Sequence, residues 1–126
     1  MLAYTKPTTK TLEDAIQSVH QAVDAHGFKV LNVLNIGEIL KTKGFEREPI
    51  VILEVCHAKS AAAMLSETID IGLLLPCKIN VYRHDGEIYI SALDPTMISQ
   101  FFDQPSVTSM AKEIAATIRS IVDDAI

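Results

Sequence analysis

The sequence predicts an α+β protein, an antiparallel sheet with helices packed on one of its faces. Two observations carry that expectation. Every strongly alternating segment lies between Ile50 and Pro95, and this stretch folds back on itself at Asp85-Gly86, the strongest short-range hairpin signal a sequence offers. On either side of it, apolar residues recur at helical spacing, which gives amphipathic helices with one face to bury.

The elements follow in order. Ala3–Thr9 favours β structure but contains Pro7, which cannot donate to a ladder and suits an edge strand. Thr11 caps the first helix with Asp14 three positions on, a capping-box arrangement with Asp in place of Glu. Leu12, Ala15, Ile16, Val19, Ala22 and Val23 form its apolar face, and Gly27 stops it. Phe28–Leu34 reads as a strand whose apolar residues fall at both parities, so the pattern does not choose a buried face. Asn35 caps a short helix carrying Ile39 and Leu40 and ended by Gly44; Phe45–Pro49 is a charged loop.

In the strand Ile50–Cys56, Val51, Leu53 and Val55 share one face, while Ile50, Ile52, Glu54 and Cys56 share the other. A short helix is expected around Ser60–Ser66. The run from Ile69 to Pro76 is too apolar for an exposed loop and should pack into the core or a subunit contact; Leu73 and Leu74 are the residues expected to make a dimer contact. In the hairpin, Cys77, Ile79 and Val81 oppose Lys78, Asn80 and Tyr82, and Ile88, Ile90 and Ala92 oppose Glu87, Tyr89 and Ser91. Asp94 then caps a turn of helix opened by Pro95, broken near Pro105. The last helix, Val107–Asp124, places Met110, Ala111, Ile114, Ala115, Ile118, Ile121 and Val122 on one face.

At 126 residues with 48% hydrophobic and 21% charged composition, a single domain spanning residues 1–126 is expected, with enough chain to bury a core. The net charge of −5 and the interleaving of Lys41, Lys43 and Arg47 with Glu38, Glu46 and Glu48 argue against a nucleic-acid surface. No apolar run is long enough for a membrane span, and the N-terminus lacks a signal-peptide core. Two cysteines are too few for a disulfide scaffold, so a cytoplasmic protein with reduced thiols is expected.

Several motifs together, Thr11-Leu-Glu-Asp-Ala-Ile16, Gly27-Phe28, Leu53-Glu-Val-Cys56, Leu73-Leu-Leu-Pro-Cys77 and Ala92-Leu-Asp-Pro95, resemble the domain of unknown function 302 family of bacteria and archaea. The resemblance implies a TATA-binding-protein-like fold of order β-α-β(4)-α, a curved antiparallel sheet with helices against it, and a homodimer. It implies no activity. Where the family tends to have Asn-Pro after the middle-strand cysteine, this chain has His57-Ala58. Either Ser60 caps the next helix or His57 stands beside Cys56 for a chemical reason, and the sequence leaves both open.

The candidate site is Glu54, Cys56, His57 and Cys77, read as a ligand-binding or thiol site. Cys56 closes one strand and Cys77 opens another; if the strands are antiparallel neighbours, both thiols lie at one end of the sheet. Parity argues against their pairing, because Cys77 falls with Ile79 and Val81, and Cys56 with Glu54. Reactivity needs an exposed thiol beside a group that favours the thiolate, which selects Cys56 with His57. Glu54, in a central strand between apolar residues, either faces a pocket or a subunit interface, where burial would raise its pKa, or pairs with Lys78 or Arg83 on the open sheet face. No spacing suggests a metal, a cofactor, a phosphate loop or a Ser-His-Asp triad. Asp94 reads as a cap, His84 as a turn residue, and His26 as a charge set against the helix dipole. The expected function is binding of a small ligand or protein partner, with a sulfur or redox carrier acting through Cys56 as the rival.

Overall fold

A computed structural model describes residues 2–126. Its strands are β1 (Ala3–Thr8), β2 (Lys29–Asn35), β3 (Ile50–Cys56), β4 (Cys77–His84) and β5 (Glu87–Leu93); its helices are α1 (Leu12–Ala25), α2 (Ile36–Thr42), α3 (Ala58–Glu67) and α4 (Pro105–Ala125). Short 3₁₀ turns cover Ile69–Leu74 and Pro95–Gln100. The strands form one unclosed sheet of order β1-β5-β4-β3-β2, antiparallel throughout. With the short helices set aside, the order is the β-α-β(4)-α arrangement expected, and Pro7 lies on an edge strand paired only with β5.

Local chemistry explains the boundaries. The Thr11 hydroxyl accepts the Asp14 N–H at 3.2 Å, and Asn35 Oδ1 accepts the Glu38 N–H at 3.1 Å. At the end of α1, Gly27 takes φ +79°, which costs a residue with a Cβ about 1–2 kcal/mol. The Phe28 N–H then reaches the Val23 carbonyl and the Gly27 N–H reaches that of Asp24, a Schellman motif. It turns Phe28 inward, where Phe28 is 4% exposed beside the buried Val23. In the hairpin, Asp85 and Gly86 have φ 50° and 83°, the two positive values a type I′ turn needs. The Glu48 carboxylate clamps that turn by accepting the N–H groups of both residues, at 3.0 and 3.2 Å.

One face of the sheet meets α1 and α4. Val51, Leu53, Val55, Ile79, Val81 and Ile90 point into this layer against Ala15, Val19 and Val23 of α1 and Ala111, Ile118, Ile121 and Val122 of α4. Truncating one of the fully buried residues, such as Leu53, costs about 2–5 kcal/mol.

The structure departs from the sequence reading in three places. The doubled parity of β2 is a β-bulge between Val30 and Asn32, which leaves Leu31 unpaired and 61% exposed. The turn from Pro95 ends at Gln100 as a break near Pro105 requires, but α4 begins at Pro105 itself and not at Val107, because the missing proline N–H costs nothing at the first helical position. The segment Ile69–Leu75 splits: Ile71 is buried and Leu74 and Leu75 pack on the core, whereas Ile69 and Leu73 are 77% and 85% exposed. No helix among the described residues is long and apolar enough to cross a membrane.

Candidate functional site

Three local devices converge at one end of the sheet. The Schellman motif delivers Phe28. The end of β3 delivers Cys56 and then His57, the N-cap residue of α3. The third wall is α4, whose buried stripe continues to Ile114 while Glu113 and Thr117 flank it toward solvent.

His57, and not Ser60, caps α3. Its Nδ1 accepts the Ser60 N–H at 3.3 Å and lies 2.7 Å from Ser60 Oγ. With Nδ1 engaged by the cap, Nε2 is the ring nitrogen left for another partner. The ring is held on its other side by Phe28, with centroids 5.2 Å apart and planes tilted by 37°.

Around this pair lies a recess of about 180 Å³ lined by His26, Phe28, His57, Ser60, Glu113, Ile114 and Thr117. His26 is positioned by a 2.7 Å contact from its Nε2 to the Asp124 carboxylate at the end of α4, so it bridges two helices rather than only opposing a dipole. Adjoining the recess, an inner space of about 20 Å³ shares Phe28, His57, Ser60 and Ile114 with it and adds Val55, Cys56, Ala61, Met64, Leu75 and Cys77. That volume is enough for one water molecule.

The two thiol-bearing segments are therefore neighbours, as β3–β4 pairing requires: Val55 lies opposite Cys77, and both cysteines line the inner space. They are free and half-buried. Burial, and then the neighbouring Cys56, push the Cys77 thiol up to about 11, with Lys78 pulling the other way. Cys77 is thus a protonated, largely apolar group at neutral pH.

Glu54 stands apart from this recess, on the opposite face of the sheet. Its carboxylate takes the Lys78 ammonium at 3.1 Å and the Asn32 amide at 3.3 Å. The Lys78 hydrogen bond, outweighing desolvation, holds its pKa below the ordinary glutamate value, the reverse of the rise expected for a buried carboxylate. Leu73 reaches solvent, but Leu74 turns to the core. Among the described residues, one set of possible metal ligands converges, Glu48, His84 and Asp85. Both Glu48 oxygens already hold backbone N–H groups of the hairpin, so the cluster is accounted for as a turn clamp.

Asp94 also has a structural explanation. Its carboxylate caps the 3₁₀ turn through the Thr96 N–H and hydroxyl, at 3.0 and 2.7 Å, and accepts from Arg119 of α4 at 3.2 Å. Glu113, Ile114 and Thr117, which complete the recess with Phe28, carry no motif; distant parts of the chain supply them.

The family model of the domain of unknown function DUF302 matches residues 4–125. The chain belongs to the DUF302 family. Among solved structures, this DUF302 chain is similar to an uncharacterized conserved DUF302 protein from Bacillus stearothermophilus, with a TM-score of 0.95 and 31% identity over 100% of this chain and 99% of that one. No curated protein matches it.

Proposed function

We propose that this DUF302 protein is a homodimeric binding module that holds a small, partly polar molecule in the recess over His57. One observation carries the reading: the outer recess and the inner thiol-lined space share Phe28, His57, Ser60 and Ile114. A ligand there meets an imidazole tilted against a phenyl ring, and a hydroxyl, with two cysteines lining the adjoining space. At about 180 Å³ the recess is below the 300–1,000 Å³ of drug-sized sites, which favours a compact molecule. The unpaired thiols fit a reducing, cytoplasmic setting.

The test is NMR shift mapping with a library of monocyclic fragments. Binders should perturb Phe28, His57, Ser60 and Thr117 together, and Thr117→Trp, which fills the recess from a half-exposed helix position, should abolish their binding. Fragment binding that Thr117→Trp leaves intact would remove the assignment.

Transfer of sulfur through Cys56 is the second reading, favoured by its place with His57 on the inner space. With Cys77 held protonated, the Cys56 thiolate would take the terminal sulfur of a small persulfide R–S–SH, giving Cys56–S–SH and R–S⁻. Alkylation of Cys56 by iodoacetamide well below the ordinary cysteine value of about 8.5, read by mass spectrometry, supports it; two inert thiols would leave ligand binding alone.

A further inference from the structure

The outer face of the sheet, the one α1 and α4 leave bare, is composed like a covered surface. An antiparallel sheet with one wet face normally alternates apolar-in and polar-out. Strand β3 does not: Val51, Leu53 and Val55 point to the core, but Ile50 and Ile52 point out and are half-buried. Leu34, Tyr82, Tyr89 and Leu93 stand on the same outer face, also half-buried, with the two tyrosine rings stacked at 5.5 Å.

At the centre of this face is a polar atom without a partner. β4 is the third of five strands, and Asn80 lies near its midpoint, flanked across the sheet by Ile52 on β3 and Ser91 on β5. Ile52 is in turn opposite Leu34, and Ser91 is opposite Thr5, whose hydroxyls bond each other at 2.7 Å. Ser91 is thus engaged elsewhere, and Asn80 Oδ1 is buried with no hydrogen-bond partner. Leaving such an acceptor unmade is destabilising, because its hydration is lost and nothing replaces it.

We infer that a second copy of this chain covers the outer face, with its two-fold axis at Asn80. An isologous contact sets the residue on the axis against its own copy. An amide is self-complementary there, because Oδ1 of each Asn80 accepts an Nδ2–H of the other and the orphaned acceptor is satisfied. A lone buried asparagine in an apolar contact also sets register, as it does in coiled coils. The size fits: five strands at about 4.8 Å spacing and some six residues of length span roughly 24 by 20 Å. With side-chain relief, that footprint approaches the ~800 Å² per partner of a standard interface. The inference rests on the homodimer proposed above and moves its contact from Leu73 and Leu74 to the sheet.

Sedimentation velocity over a concentration series tests it. Wild type should be a dimer, and Leu73→Asp should leave its dissociation constant unchanged. Ile52→Ser and the near-isosteric Asn80→Asp should each raise that constant at least tenfold at neutral pH, with the far-UV circular dichroism of the wild type. The Asn80→Asp dimer should tighten again toward about pH 4.5, where one of two facing carboxyls regains a proton. Dimers of wild-type strength in both sheet variants would overturn the sheet interface while sparing the homodimer, all the more so if Leu73→Asp yields monomers. A wild-type monomer at all concentrations would overturn both.

Discussion

Asp94 shows how one residue can be a motif without being a catalyst. It is 4% exposed, and burial alone would push its carboxyl up. The Thr96 hydroxyl and N–H and the Arg119 guanidinium outweigh that and hold it below the usual aspartate value. A carboxyl with a lowered folded-state pKa adds stability above its unfolded pKa of about 3.9 and loses it as pH falls through the folded value. Asp94→Asn should therefore flatten the acid limb of a stability-against-pH curve below about pH 4 in urea titrations, and Asp94→Ala should cost about 1–2 kcal/mol at neutral pH through the lost cap. An unchanged acid limb in Asp94→Asn would show that the charge does not contribute. Cys77 belongs to the same scale. Lifted to about 11, it should resist iodoacetamide at pH 8 in the native protein and react once guanidinium unfolds the chain.

Among the elements, α3 is entered through a histidine, and that choice has a physical account. His57 does the capping work through Nδ1, which asparagine, among the best N-cap residues, performs with a side-chain oxygen. His57→Ala should lower stability by about 1 kcal/mol, and His57→Asn should restore it while removing the imidazole from the recess. Thermal and urea unfolding measure the first effect, and fragment binding the second. Together they separate a cap from a binding group; equal fragment affinity in His57→Asn and wild type would leave the ring with a structural role alone. The bulge in β2 is the complementary case. Leu31 interrupts the register between Val30 and Asn32, so Val30 and Val33, of opposite parity, share one face while Leu34 stands on the other; the sequence pattern does not reveal that fault line.

For the whole molecule, the sequence by itself determined what is local. The Asp85-Gly86 turn, the caps at Thr11, Asn35 and Asp94, the stop at Gly27 and the buried stripes of α1, β3 and α4 all depend on residues a few positions apart, where backbone sterics and one or two hydrogen bonds decide the outcome. Only the tertiary structure decided which of the apolar residues at 69–75 turn inward, that His26 meets Asp124, and that Phe28 and Ile114 close one recess over His57. Those are encounters between segments far apart in the chain. They are set by how the bulged, twisted sheet and two crossing helices fill a common volume, and no spacing within any one segment encodes that.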